Sequence, residues 1–291
     1  LNLLDFNTKD GLSASYQLLD SGNGEKLERF GDKVLRRPTT LAVWKRRLPA
    51  AVWNADAFHF DPDGGWVHQG KPVSGEMVWS VPINGSTFVC RLQRNGQIGI
   101  FPEHLLYLPA LLKEVLEGCS VLNLFAYTGV ASVLLARQGA TVTHVELAKS
   151  VNAWCIQNIE ANKIPRERIR IIAEDVFAFL RKEKKRGNRY QCVIADPPNF
   201  SRISKQESWN LEEVLPELWE LIRDVLDPLK GQVLLTAHAS TLGAAGLANI
   251  AKDYLPEPTW QHRGFHLEIP EHESSRALPA SVGVWSRKVE S

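Results

Sequence analysis

Four cysteines, a single methionine, no long apolar run and a net charge near zero are the scarcities of this 291-residue chain. Each one narrows the function. Cys90, Cys119, Cys155 and Cys192 are widely spaced and form no C-x-x-C pair. That spacing argues against a thiolate metal site or a disulfide framework, and small buried hydrophobes in a reducing, cytoplasmic compartment are expected. A bilayer span takes ~18–20 apolar residues, whereas the run at 130–136 stops at Arg137, so no membrane partner is expected. The opening residues LNLLDFNTKDG turn polar and acidic too early for a secretory signal. The chain starts at Leu1 while its one methionine is Met77, so a trimmed start is expected, with room for an upstream module. A formal charge of +1 gives no overall basic field, so any face for nucleic acid must be local. Arg36-Arg37, Lys45-Arg46-Arg47 and residues 181–189 are the candidates, and the last reads more simply as a solvated helix end.

What is present falls into three stretches. Residues 1–23 read as a loose or extended leader. Residues 24–98 carry short β-rich runs broken by Gly and Pro, with turn signals at 61–65, 84–85 and 95–96, and read as a small β-rich domain. Trp44, Trp53, Trp66 and Trp79 lie there and read as core more readily than as base-stacking platforms. From 99 to 291 strands and helices alternate. The expected strands are 120–125, 141–146, 169–173, 190–195 and 232–237, with extended runs at 260–269 and 281–288 paired antiparallel. Helices are expected at 104–116, 150–161, 175–185 and 242–254, and from a Thr128 cap to Gln138. Residues 208–228 also read as helical, with Pro216 breaking or kinking the run. This alternation implies an α/β fold with a mostly parallel, doubly wound sheet.

Three motifs place chemistry at one end of that sheet. The first apolar run ends in the turn of VLNLFAYTG (121–129), the second in the carboxylate of THVE (143–146), and a later one in DPPNF (196–200). In an open α/β sheet the carboxyl ends of adjacent strands meet at the ligand crevice. A dinucleotide would need G-x-G-x-x-G, yet Leu124 and Ala126 stand where the first two glycines belong, so the pyrophosphate cradle is missing. S-adenosylmethionine has no phosphate and needs a sharp turn, backbone groups and a nearby carboxylate. Glu146, seventeen residues beyond Gly129, suits the ribose hydroxyls. Asp175 suits the adenine amine or caps a helix. Asp196 and the carbonyls freed by Pro197 and Pro198 form an acceptor-rich turn, and the adjacent Phe200 suits a planar ring. Residues 201–210 form a candidate lid with Arg202 and Lys205.

VLNLFAYTG, THVE, AED and DPPNF resemble the motifs of bacterial class I S-adenosylmethionine-dependent methyltransferases that modify large-subunit ribosomal RNA. The closest in style make 5-methylcytosine or 7-methylguanosine, and their catalytic domain follows a small β-domain. The resemblance covers residues 95–291 and implies a Rossmann-like, seven-stranded, mostly parallel sheet. It implies S-adenosylmethionine contacts at Asn123, Phe125, Ala126, Tyr127, Thr128, Gly129, Glu146, Leu147, Glu174 and Asp175. Phe101 and Pro102, in the entry segment GIFPEH, join that set, as do Asp196 and Pro198. Acceptor-side catalytic roles fall on Asp196, Pro197, Phe200 and His238. The departure is a missing cysteine: 5-methylcytosine members carry a nucleophilic thiol after strand five, where this chain reads ThrAlaHisAlaSer (236–240). Cys192 cannot replace it, because four strand residues at about 3.3 Å each set it roughly 13 Å from Asp196. A base nitrogen of RNA is therefore the expected acceptor, without a metal. Protein or small-molecule methylation and a non-catalytic RNA- or cofactor-binding module stand as alternatives, and the oligomeric state is left open.

Overall fold

The computed structural model describes residues 15–54, 57–202, 208–238 and 241–289. The chain divides into two compact units, one of Leu1–Ala110 with Glu268–Pro279 and one of Leu111–Leu267 with Ala280–Ser291. Residues 1–14 of the expected leader lie outside the described residues, and its remainder contains strand β1. No described helix is long and apolar enough to cross a membrane.

In the first unit β1 (Tyr16–Gly22), β2 (Glu25–Phe30), β3 (Lys33–Pro38), β4 (Ala57–Asp61), β5 (Gly65–His68) and β6 (Lys71–Pro72) form one sheet in sequence order, with α1 (Ala50–Asn54) between β3 and β4. A separate ribbon joins β7 (Val78–Ile83) to β8 (Ser86–Arg91) through Asn84-Gly85, both at positive φ, as a tight hairpin requires. Trp53, Trp66 and Trp79 are buried core residues, as expected. The fully buried Glu28 carboxylate accepts from Tyr16 Oη at 3.1 Å and Arg37 Nε at 2.8 Å. Burial alone would raise this carboxyl, but Arg37 and Lys26 hold it below the usual carboxylate range. Helix α2 (His104–Glu114) spans the division between the units.

The second unit contains β9 (Ser120–Leu124), α3 (Val130–Arg137), β10 (Thr141–Val145), α4 (Lys149–Ala161), β11 (Ile169–Ile172), α5 (Val176–Arg186) and β12 (Cys192–Ala195). It continues with β13 (Phe200–Arg202), β14 (Ser208–Asn210), α6 (Leu211–Val225), β15 (Gln232–His238), α7 (Gly243–Tyr254) and most of β16 (Trp260–Pro270) and β17 (Ala277–Lys288), whose ends at 268–270 and 277–279 belong to the first unit. Its main sheet runs β11-β10-β9-β12-β15-β17-β16. The first five are parallel, and β17 is antiparallel to β15. The apolar residues of β9 and β12 are buried throughout, which explains their unbroken hydrophobic runs. The order reverses beside β9, so the carboxyl ends of β9, β10, β12 and β15 frame a switch-point crevice.

Two expectations need correction. Of the expected break or kink at Pro216, the break does not occur: α6 continues through the proline, which lies on the exposed face. Leu211, Leu215, Leu218, Trp219 and Ile222 anchor the opposite face in the core. Thr128 does not cap α3; the position before the helix is Gly129, at φ 81°, with no side-chain cap.

The turn after β9 has left-handed backbone at Phe125 (φ 54°), Tyr127 (φ 50°) and Gly129. A Cβ at Gly129 would overlap the sulfur of Cys155 on α4. Gly129→Ala is therefore expected to destabilise the protein through both overlap and backbone strain. Adding Cys155→Ala should recover stability in urea unfolding, leaving about 1 kcal/mol of left-handed strain. Equal midpoints for the single and double variants would refute the overlap.

Candidate active site

Hydrogen bonds from β10, from α4 and within the turn hold the strained turn after β9. Ala126 N–H donates to the Val145 carbonyl at 3.1 Å, and Gly129 N–H donates to that of Ala126 at 3.1 Å. Asn158 Nδ2 on α4 donates to the Thr128 carbonyl at 2.9 Å. Left-handed residues at such positions persist where the surroundings over-determine them, and they concentrate at functional sites. Alternating backbone turns of this kind also gather N–H groups into a concave surface that favours an anion.

Glu146 supplies that anion at the end of β10. One carboxylate oxygen accepts from Tyr127 N–H at 3.2 Å, and the other accepts from Ala148 N–H at 2.8 Å. A carboxylate offers about four acceptor positions, so two remain for a pair of hydroxyls. Asn152 Nδ2 fixes the Glu146 carbonyl at 2.8 Å. Leu147, the next residue, exposes 56% of its surface beside this carboxylate.

Behind the turn, Asn123 uses its amide on the Ser132 hydroxyl at 2.9 Å, and that hydroxyl shares a hydrogen bond with His144 Nδ1 at 3.0 Å. Burial pushes His144 down to about 4, so it stays neutral near pH 7. The Asn123 side chain is thus committed to bracing β9 against α3. Ser132, His144 and Asn158 escaped the sequence reading because nothing local marks them. They matter through partners at distant positions.

Past β11, Asp175 caps α5 by accepting from Ala178 N–H at 2.9 Å through one carboxylate oxygen. Glu174 pairs with Lys182 of α5. Phe101 and Pro102 fall in the first unit, where the Phe101 ring stands 5.4 Å from that of His104.

A second cluster forms at the ends of β12 and β15. Their register pairs Ala195 with Leu235, which sets Asp196 beside Thr236. The buried Thr236 hydroxyl donates to Asp196 Oδ1, and His238 Nε2 stands 3.2 Å from the same oxygen. Sequence reasoning marked Asp196 and His238 separately, and the structure brings them together. Thr236 was missed as their partner because a β-branched residue in an apolar strand reads as core. Pro197 is buried and Pro198 exposed, while Asn199 leaves its buried amide oxygen without a donor among the described residues. Phe200 opens the short β13–β14 ribbon; its side chain, residues 203–207 of the expected lid, and Ser240 lie outside the described residues.

Thiols take no part in this cluster within the second unit. Cys192 is fully buried inside β12, and burial holds its pKa well above the ordinary thiol value. Burial pushes Cys155 up to about 12 and raises Cys119, which precedes β9 at the far end of the sheet.

Comparison with known proteins agrees with this architecture. Ribosomal RNA large subunit methyltransferase K of Neisseria meningitidis is 31% identical over 160 residues, or 55% of this chain and 42% of that protein. Ribosomal RNA large subunit methyltransferase K/L of Shewanella pealeana is 32% identical over 220 residues, or 68% of this chain and 30% of that protein. The chain thus spans less than half the length of these curated relatives. The crystal structure of a SAM-dependent methyltransferase from Agrobacterium tumefaciens superposes with a TM-score of 0.87 at 30% identity, covering 95% of this chain and 91% of that one. Residues 18–244 match the S-adenosylmethionine-dependent methyltransferase family, well over half of the chain, and the protein belongs to that family.

Proposed function

We propose that the protein transfers a methyl group from S-adenosylmethionine to a base nitrogen of large-subunit ribosomal RNA, in a cytoplasm that keeps its four thiols reduced. The Asp196–Thr236–His238 cluster carries this reading. It sets hydrogen-bonding groups at the crevice with no usable thiolate beside them. The names of the relatives from Neisseria and Shewanella support the choice of acceptor.

The residues present fit this cofactor. The spare lone pairs of Glu146 suit the two ribose hydroxyls, and exposed Leu147 suits one face of the adenine. The second oxygen of Asp175 suits the adenine amine, with the Glu174 backbone alongside. The turn at Phe125, Ala126, Tyr127, Thr128 and Gly129 offers backbone groups to the amino-acid end. When bound, the cofactor supplies a methyl group already activated on a cationic sulfur.

Activation by the protein is therefore positional. Holding reactants in line can provide a large share of the barrier reduction, ~7–11 kcal/mol in well-oriented systems. Thr236 fixes the Asp196 carboxylate, which orients a base N–H by accepting from it; Asn199 Oδ1 and the Pro197 carbonyl add acceptors. Exposed Pro198 flanks the base. A ring nitrogen attacks without prior proton loss. An exocyclic amine passes its proton to Asp196, with His238 next to receive it.

Tritium transfer from labelled cofactor into fractionated cell extract is expected to label RNA. Label confined to protein or metabolites would overturn the acceptor, and no transfer at all would favour a binding module. Asp196→Ala is expected to lower transfer by ~100-fold or more, in the range of lost acid–base groups. S-adenosylhomocysteine affinity, measured by calorimetry, should stay within several-fold; a parallel loss would put Asp196 in the cofactor shell. Replacing all four cysteines by serine or alanine should lower stability but preserve transfer per folded molecule. A covalent adduct with 5-fluorocytosine-containing RNA, lost in one single-cysteine variant, would establish a thiol mechanism instead.

A further inference from the structure

The second unit holds a cleft of about 670 Å³ at the end of the sheet opposite Asp196. Its walls come from the C-terminal ends of α5, α6 and α7 and from the segments entering β12, β15 and β16. These are the amino ends of the parallel strands, so the seven residues of β15 set the cleft roughly 20 Å from the catalytic crevice. Its size is in the range of ligand sites, ~300–1,000 Å³.

Four cations line the cleft, Lys184, Arg189, Arg223 and Lys288, against two carboxylates, Asp224 and Asp227. Pairing divides the cations into two kinds. Lys184 and Arg223 are both held by Asp224, at 2.6 and 3.0 Å. One oxygen of Asp227 is engaged by the turn N–H groups of Leu229 and Lys230, at 2.8 and 2.9 Å. Arg189 donates to the Asn188 carbonyl at 3.0 Å, and the Lys288 ammonium stands 5.6 Å from the centre of the Trp260 ring. Neither has a carboxylate within ion-pair distance among the described residues.

Helix C-termini attract cations, which explains Lys184 and Arg223. It does not explain the other two. Arg189 stands beyond the end of α5 on the way into β12, and Lys288 closes a strand, where its N–H is fixed to the Gly231 carbonyl at 3.0 Å. Tyr254, Pro256 and Trp260 line the same cleft. Trp260 is buried, so Tyr254 is the partly exposed ring. Two cations without carboxylate partners in a cleft with a partly exposed ring are a combination that holds a single-stranded nucleic acid, with cations on phosphates and the ring on a base or sugar. The guanidinium of Arg189 adds a fork that matches phosphate geometry.

We infer that this cleft is a second RNA-binding site, which grips a single-stranded segment flanking the methylated base. The inference rests on RNA as the acceptor. Two sites at opposite ends of one sheet call for a polymer rather than a free nucleotide.

The test is an Arg189→Glu/Lys288→Glu double variant, titrated with an unmodified large-subunit ribosomal RNA transcript over a salt series. Loss of two single-strand phosphate contacts should lower the slope of log affinity against log salt by about 1.4 and weaken binding roughly tenfold at low salt. The corresponding alanine pair should shift both in the same direction by less. Unchanged S-adenosylhomocysteine affinity verifies that the fold and the catalytic crevice are intact. Wild-type slope and affinity in both variants would overturn the cleft while leaving RNA methylation standing. Failure of the wild-type protein to bind RNA would overturn both. Loss of polyglutamate binding, with RNA binding unchanged, would make the cleft a docking site for an acidic protein and overturn it as an RNA site.

Discussion

The close approach of α4 to the turn after β9 is the constraint from which the crevice follows. Gly129 and Cys155 leave no room for a side chain between them, and the chain turns there with left-handed backbone. Strain of this kind needs compensation. It comes from the Val145 carbonyl, the Glu146 carboxylate and the Asn158 amide, which belong to β10, its end and α4. Glu146 therefore has two tasks: it holds the turn, and it presents its remaining lone pairs to the crevice. The buried chain of Asn123, Ser132 and neutral His144 ties β9, α3 and β10 together behind it. A change at any of these positions would reach the ligand surface through the turn.

Strand register performs a similar service at the ends of β12 and β15. Parallel pairing of β12 with β15 ends at Ala195 and Leu235, so the next residues, Asp196 and Thr236, meet, a pairing that neither residue's local sequence marks. The alternation of a strand then returns the same face two residues later, where His238 reaches the same carboxylate. The cluster is a product of topology. Fixed carboxylate geometry at the crevice is what positional catalysis demands.

Much of this was legible in the sequence. Short, mostly apolar runs, most of them ending in a small or acidic residue, placed the parallel strands because strands buried on both faces need near-continuous hydrophobic stretches. Asp175 read correctly as a helix cap because capping is a local matter of one side chain and a nearby N–H. Local rules failed where tertiary context decided. Pro216 reads as a breaker, yet the apolar face of α6 holds the helix across it. Thr128 reads as a cap, yet the crowding at Cys155 assigns that position to Gly129. Thr236, Ser132, His144 and Asn158 were invisible, since each acts through a partner at least nine residues away in the chain.

The first unit is discontinuous in sequence, and this bears on how the chain is made. Buried Asp20 receives Arg276 at 2.6 Å, and the Glu271 carboxylate takes both the N–H and the hydroxyl of Ser21, at 3.0 and 2.6 Å. Residues 111–267 separate these partners. At a translation rate of ~5–20 residues per second the ribosome takes roughly 8–30 s to bridge that interval. A nascent β1 thus emerges with a buried acid that still lacks its cation, while the parallel strands of the second unit are being delivered. The order of synthesis is the reverse of the order of completion: the segment that starts first closes last. Scission at a single peptide bond between residues 110 and 268 cannot release two self-sufficient halves.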